Sequence, residues 1–561
     1  MDKKMRIICL LLISLSVLGM VSAAEPTYVV SNSENWKDVY STMLYSTLKG
    51  ISSDFLVSTA HGPLLVDGIN PNNNMLIVSS KNDPFVFDYS DSFESAGFFS
   101  VEEIKVSNAN LELIDELSSI KNFIIVGDDY GYNAIAVTTY AALTNSWVFL
   151  ADKSNVDEID SILSRKNVGE LLLYGYVDTD VTETLSKYNP EIINTGDKFE
   201  DNIEITEKCF ELSDTKQVIL TNGEFIEKEI VNGKNPILFT GRENVPDQIA
   251  DYIKDSDIEI GVLIGNELIG AATNIRRSTG ISVMVKFARG PRSKITGGVS
   301  AVEGLDLFYL PVPILDLTIH SVKYNKATSQ LELTYGSGSN VPTYFKGTVT
   351  LTSDLGKTKV GDIDPIFIAP GDFKTITYED ISFGEDTLYA DIFTLYGETA
   401  SSLDRTLEES YEVGVIDVLD SCELEIESVK YNKQAQGFLV KTKNLESVDC
   451  WASIEFQDFL INGVEQTIGT ENPTVLKAKQ SKNILLEYSV DDADLEDNSF
   501  VDLTAYYGER KESLVNLFKG RFELGFQRFT TLTYLILISI LIILILIILM
   551  IILKKKDEIF D

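Results

Sequence analysis

Two hydrophobic rhythms divide the chain. From residue 27 to about residue 290, short apolar runs such as Tyr28-Val29-Val30, Phe123-Ile124-Ile125-Val126 and Val218-Ile219-Leu220 read as buried strands, separated by stretches with helical spacing. From residue 313 to 525 the pattern changes to period two, as in Leu331-Glu332-Leu333-Thr334-Tyr335 and Leu424-Glu425-Ile426, which predicts half-buried strands. The ends carry two uninterrupted apolar runs. Residues 7–21 follow Lys3, Lys4 and Arg6 and lead into Val21-Ser22-Ala23, the pattern of a signal peptide cleaved after Ala23. Residues 531–553 hold no charge and are long enough for a helix to cross a ~30 Å hydrocarbon core. Lys554, Lys555 and Lys556 follow and mark the cytoplasmic side, with Phe526, Phe529 and Tyr534 suited to the opposite interface.

Both rhythms repeat. The three strand-opening runs of the first half recur at close to 95 residues. Met43-Leu44-Tyr45-Ser46-Thr47-Leu48 corresponds to Thr138-Thr139-Tyr140-Ala141-Ala142-Leu143, and Trp147-Val148-Phe149-Leu150 corresponds to Pro236-Ile237-Leu238-Phe239-Thr240. Leu171-Leu172-Leu173-Tyr174-Gly175 returns as Gly261-Val262-Leu263-Ile264-Gly265. Each copy reads strand, helix, strand, helix, strand, the alternation of a parallel sheet with helices packed on it. The third copy is abbreviated, since residues 224–234 are too few for a full first helix. In the second half Ser321-Val322-Lys323-Tyr324-Asn325-Lys326 returns after 107 residues, and Tyr396-Gly397-Glu398 after 111. Units of about 100 residues with this alternation are expected to be β-sandwiches.

The expected fold is thus an α/β N-terminal head of three repeated strand-helix-strand units, two tandem all-β sandwiches and one transmembrane helix. In residues, this is a signal peptide (1–23), α/β repeats (24–115, 116–210 and 211–312, the last with a linker), sandwiches (313–418 and 419–528), a span (531–553) and a cytoplasmic tail (554–561).

The second copy also carries a family likeness. Its strand Phe123-Ile124-Ile125-Val126, the Tyr140-Ala141-Ala142-Leu143 segment, Tyr174-Gly175 and the closing Thr195-Gly196-Asp197-Lys198-Phe199-Glu200-Asp201-Asn202 resemble a type 2 cell-wall-binding repeat. Such repeats occur in bacterial and archaeal surface proteins, usually as three tandem copies that close into a pseudo-threefold body and hold an anionic wall polymer. Against the family's Gly-x-x-Arg-Tyr-x-Thr-Ala, this chain has Lys198 and Phe199 for Arg and Tyr, Asp201-Asn202 for Thr-Ala, and Gly196 one position closer. The resemblance implies the fold and an envelope location more directly than it implies polymer binding. The period-two half is similar to generic Ig-like modules, a likeness of architecture rather than ligand.

Charge and chemistry refine this picture. Asp and Glu outnumber Lys and Arg 85 to 47. The signal contributes +2 and the tail is balanced, so of the formal −38 the ectodomain holds −40. Phosphate backbones would be repelled, which excludes nucleic acid as a partner. An anionic polymer would need divalent bridges or a local basic pocket. Lys outnumbers Arg 36 to 11, unlike the Lys-poor composition of an extreme halophile.

Of four Cys, Cys9 leaves with the signal, Cys209 stands alone, and Cys422 and Cys450 share one sandwich, so a Cys422–Cys450 bridge is expected. The one Asn-x-Thr triplet, at Asn472, is spoiled by Pro473, so N-glycosylation is not expected.

An enzyme is not expected. The two His, His61 in a turn and His320 at the end of an apparent strand, have no metal-binding partners nearby, and no H-E-x-x-H, G-x-S-x-G or P-loop motif is present. Gly127-Asp128-Asp129-Tyr130-Gly131-Tyr132 sits where a strand hands over to a helix, the place at which open α/β sheets take ligands, although helix capping and turn chemistry account for the same residues. Asp128, Asp129, Tyr130 and Tyr132 are therefore candidate ligand-binding residues. Arg276 and Arg277, with Arg289 and Arg292, form the one basic cluster and could face an anionic glycan. Asp491, Asp492 and Asp494 could hold Ca²⁺ through oxygen ligands, without EF-hand spacing; no other cofactor is expected.

These observations lead us to expect a single-pass cell-surface protein of an archaeal or related monoderm envelope, ectodomain outside and C-terminus cytoplasmic. Its role would be structural or adhesive, S-layer-like or contacting envelope glycan or neighbouring surface proteins. An extracellular ligand-binding receptor subunit working through membrane partners is the other reading, and its mark would be a formed pocket at the 128–132 edge.

Overall fold

The computed structural model describes residues 25–265, 268–286, 306–353, 356–381 and 388–527, with Ser539 and Ile545 as single helical positions. Among the described residues no helix is long and apolar enough to cross a membrane. The expected signal and nearly all of the expected span lie outside them. The chain divides into two units, residues 1–312 and 313–561.

The first unit is α/β, with three parallel four-stranded sheets. The first sheet contains β1 (Tyr28–Asn32), β2 (Ser52–Phe55), β3 (Asn74–Ser80) and β4 (Ser100–Val106). The second contains β5 (Asn122–Gly127), β6 (Ser146–Ala151), β7 (Leu171–Tyr174) and β8 (Glu191–Ile193). The third contains β9 (Gln217–Thr221), β11 (Ile237–Phe239), β12 (Ile260–Ile264) and β13 (Ser282–Lys286), while the short β10 (Phe225–Ile226) pairs antiparallel with β14 (Phe308–Tyr309). In all three sheets the second strand of the repeat lies at one edge, then the first, the third and the fourth. A fourth strand per repeat goes beyond the strand-helix-strand-helix-strand reading. β4 and β8 end their sheets, and an edge strand that is short, as β8 is, or carries charges, as β4 does with Glu102, Glu103 and Lys105, lacks the apolar run by which a central strand is recognised.

Helices α1 (Trp36–Lys49), α3 (Tyr132–Thr144) and α5 (Lys228–Asn232) follow the first strand of each repeat and pack on one another. α5 has one turn and a little more because residues 224–234 leave no room for a longer one. α3 is buried on nearly all sides, as its apolar sequence requires, and Tyr40 donates from α1 to the Ala134 carbonyl at 2.9 Å. One continuous hydrophobic core runs through all three repeats.

An Asn side chain bridges the sheet edge at each of two joints between repeats, helped at the second by the Thr206 hydroxyl, which donates to the Ile237 carbonyl at 2.8 Å. In α2 (Ala109–Glu112) Asn110 donates to the Val148 carbonyl at 2.8 Å and accepts from the Leu150 N–H at 3.0 Å. In α4 (Lys198–Leu212) Asn202 donates to the Ile237 carbonyl at 3.1 Å and accepts from the Phe239 N–H at 2.6 Å. A carboxamide has one acceptor and one donor group, so it can stand in for a neighbouring strand along the open edges of β6 and β11. Both Asn are fully or almost fully buried.

The second unit is all-β. In the first sandwich β15 (Leu317–Asn325), β16 (Gln330–Ser337), β20 (Phe373–Tyr378) and β23 (Gly414–Ile416) form one sheet. β17 (Thr343–Ser353), β18 (Gly356–Gly361), β19 (Ile366–Ile368), β21 (Tyr389–Gly397) and β22 (Arg405–Glu412) form the other. In the second sandwich β24 (Leu424–Asn432), β25 (Gly437–Asn444) and β29 (Ser481–Glu487) face β26 (Cys450–Ile461), β27 (Val464–Gly469), β28 (Thr474–Leu476) and β30 (Phe500–Gly508). The long β31 (Asn516–Gln527) joins both faces, antiparallel to β30 along its first part and parallel to β24 at its end. β22 and β23 divide the same task in the first sandwich. Each opening strand carries a β-bulge at the same place, between Ile319 and Ser321 and between Ile426 and Ser428. His320 therefore sits at a bulge inside β15, not at the strand end expected from its sequence.

The sandwiches meet through buried charge. Lys374 on β20 pairs with Glu455 on β26, with side chains 1% and 3% exposed, and its ammonium lies 3.4 Å above the centre of the Tyr506 ring. Asp372 accepts from the Ser453 hydroxyl at 2.9 Å. Burial alone would lower the Lys374 ammonium, but Glu455, Tyr506 and Asp372 hold it above its ordinary value, while burial pushes the Asp372 carboxyl up to about 7. Glu332 accepts twice from Arg510 (3.1 and 2.9 Å), from Ser513 (3.1 Å) and from Asn325 (3.0 Å). Cys422 and Cys450 are disulfide-bonded, with Cα atoms 5.8 Å apart, tying the start of β24 to β26.

Candidate functional site

The carboxyl ends of β5, β6 and β7 bring four aspartates to one rim. Asp128 and Asp129 follow β5, Asp152 follows β6 and Asp178 follows β7 by four residues. Lys37, at the start of α1 in the first repeat, reaches across and pairs with Asp128. Burial pushes the Asp129 carboxyl up, reinforced by Asp128 and Asp178 and opposed by Lys37. At Asp152 burial acts in the same direction but is outweighed by donors from Ser154 and Asn155 and by Lys37, which hold it below its usual range. Neither Asp128 nor Asp129 caps α3. Its N-cap is Gly131, with no side-chain hydrogen bond, so Asp128 joins two repeats instead of ending a helix.

Aromatic rings border this rim. Tyr130 and Tyr132 stack with centroids 6.2 Å apart and planes 14° from parallel, and the Lys198 ammonium lies 5.6 Å above the Tyr132 ring. Tyr176 is 54% exposed, and its carbonyl oxygen is so close to Gly127 that a Cβ there would stand 2.8 Å from it. At the start of α3 the unit's own chain packs against Gly131. The Gly131 N–H donates to the Pro311 carbonyl at 3.1 Å, and a Cβ on Gly131 would fall 2.8 Å from Leu310 atoms.

The other candidates do not join this rim. Arg276 and Arg277 are exposed in the last turn of α6 (Ile269–Thr279). That helix leaves the carboxyl end of β12 and delivers the chain to the start of β13, so both arginines stand at the amino ends of their own sheet. Arg289 and Arg292 lie outside the described residues. The three sandwich aspartates point to different tasks at α7 (Asp492–Asp497). Asp491 accepts from the Asp494 N–H at 2.8 Å as the helix cap, Asp494 accepts from the Asn462 N–H at 2.8 Å, and Asp492 pairs with Lys433. Among the described residues no group of three or more His, Cys, Asp or Glu is arranged to hold a metal ion. Cys209 is buried, which pushes its thiol up to about 12 and leaves it unreactive. His61 lies 3.5 Å from Asp306, and His320 lies 2.9 Å from Glu512.

Spacing in sequence could not bring Lys37, Asp152, Asp178 or Tyr176 to Asp128. The signal that existed was positional, since each follows or faces the carboxyl end of a strand in the second copy.

No protein-family model matches the sequence, and a search of curated proteins returns no match. Among solved structures, Cwp8 from Clostridium difficile aligns over 48% of this chain and half of its own, at 15% identity and a TM-score of 0.37. A chaperone-tip adhesin complex of CFA/I fimbriae aligns over 37% of this chain and 98% of its own, at 8% identity and a TM-score of 0.14. Red sea bream transglutaminase aligns over 39% and 31%, at 5% identity and a TM-score of 0.12. At these scores both fold and function must be read from the chain itself.

Proposed function

We propose that this chain is a single-pass surface protein with a structural or adhesive role in the cell envelope, its α/β unit contacting envelope glycan or neighbouring surface proteins. The reading rests on the apolar segments at the two ends of the sequence, which give an outside ectodomain. The observation that carries it is the sandwich junction, where a buried Lys374–Glu455 pair, the Asp372–Ser453 bond and the Arg510–Glu332 fork fix one module on the next. Tandem modules locked in this way make a stiff spacer, a part suited to a surface protein. The 310–311 segment packed against Gly131 leaves less room there for a small molecule and favours contact through a surface.

Because the ectodomain is strongly acidic, contact with an anionic envelope polymer would run through divalent cations. The test is co-sedimentation of the purified protein with envelope material from its own cells, with and without a calcium chelator. Pelleting that the chelator abolishes, and that is lost when residues 24–290 are deleted, supports the α/β unit as a cation-bridged envelope contact. Absence of pelleting in both conditions refutes it and leaves the receptor reading.

A further inference from the structure

The junction between the two sandwiches contains a cavity of about 230 Å³, lined by the bulged end of β15 and the turn between β30 and β31. Its walls are unusual for so acidic a chain. Lys323, Arg510 and Lys511 line it against one carboxylate, Glu512. Arg510 is held in place by its two bonds to Glu332, a carboxylate that also accepts from Ser513 and Asn325 and is 2% exposed. Lys323 stands directly across from Glu332 in the β15–β16 register yet makes no ion pair among the described residues. Lys511 makes none either, its ammonium lying 5.8 Å above the Trp451 ring. Glu512 is taken up by His320 at 2.9 Å.

From this juxtaposition we infer that the cleft binds one anionic sugar unit, a uronate or a sulfated monosaccharide, with Lys323 and Lys511 on its charged group. Two unpaired ammonium groups around a fixed guanidinium attract one anionic group, and a cleft shields the attraction from salt better than an open surface does. The volume is below the ~300–1,000 Å³ of pockets for drug-sized ligands and above what a lone oxyanion fills, which fits a single pyranose. The Ser321 hydroxyl on the lining suits a hydroxyl of the remainder of the sugar. This site lies in the sandwich unit and does not depend on the envelope contact proposed for the α/β unit.

The test uses full-length protein in detergent micelles and three probes: sodium glucuronate, glucose and sodium sulfate. Tryptophan emission reports on the site, because Trp36 and Trp147 are buried in the other unit. Glucuronate is expected to change the emission saturably, and Lys323→Gln with Lys511→Gln to weaken that binding at least tenfold while the far-ultraviolet spectrum stays unchanged. Raising salt should weaken it as well. Titration calorimetry repeats the comparison without relying on Trp451. Failure of glucuronate to bind, or binding unaffected by the double substitution, overturns the inference. Glucose binding as tightly as glucuronate would refute the role of charge, and sulfate binding as tightly would refute the sugar.

Discussion

Replacing Lys374 by Met tests whether the sandwich junction is held as described. The lysine is 1% exposed, with Glu455 in direct contact and Asp372 nearby, and Met fills most of its volume without a charge. At a charge-assisted contact of about 2.8 Å and an effective dielectric of about 20, one such pair is worth about 6 kcal/mol of attraction. Much of that offsets the several kcal/mol each ion loses on leaving water, and removing one partner of a buried pair costs about 3–5 kcal/mol because the other charge is left behind. Here two carboxylates are left behind. They will take up protons, so the folded state will bind more protons than the unfolded one, and the cost should shrink as pH falls from about 8 towards 5. Hydrogen exchange read by mass spectrometry on peptides from β20, β26 and β30 measures this local opening energy in the full-length protein. Adding Glu455→Leu should recover most of the loss. A cost below about 1 kcal/mol, or one that does not change with pH, would refute the reasoning.

Three further outcomes follow from the geometry. Asn110→Ala should destabilise the α/β unit by about 2–4 kcal/mol, since it leaves the buried Leu150 N–H and the Val148 carbonyl without the Asn side chain, and Asn202→Ala by less, about 1–3 kcal/mol, because the Thr206 hydroxyl still donates to the Ile237 carbonyl; thermal unfolding of the two variants checks the order. Reducing the Cys422–Cys450 bridge, or replacing both residues by Ser, should lower the stability of the second sandwich by about 3–4 kcal/mol for a 28-residue separation, read from denaturant midpoints with and without reductant. Burial pushes the Asp201 carboxyl up to about 6, above its unfolded value, so its burial should cost progressively more as pH rises from about 4 through 6, and Asp201→Asn should flatten that part of the stability profile.

The sequence showed the change from α/β to all-β, because each half has its own hydrophobic period, and internal matches at 95 and 107 residues located the repeats. The parallel α/β and antiparallel all-β regions of the structure have this order. What periodicity could not supply was the fourth strand of each sheet, since β8 has only three residues and β4 carries Glu102, Glu103 and Lys105. Site chemistry was less legible. Asp128 looked like a helix cap, but its partner is Lys37, 91 residues earlier, and no local pattern encodes that pairing. Asp491, Asp492 and Asp494 looked like a cluster because they are adjacent in sequence, and the short helix α7 turns them to three different partners. The sealing role of Asn110 and Asn202 gave no signal, because a polar residue in a short helix or between charged neighbours reads as surface until the edge strand it serves is known.

The Asn seals also bear on how the chain assembles as it is synthesised. A chain is made from its N-terminus, and a bare sheet edge waiting for the rest of the molecule invites pairing with other chains. Asn110 precedes the β6 carbonyl it seals by 38 residues, and Asn202 precedes the β11 carbonyl by 35. When β6 or β11 is made, the residue that will close its edge is already there, carried by the repeat made just before it. Assembly can thus proceed as a relay in which each finished repeat receives the next, and the exposed edges have little time in which to find the wrong neighbour.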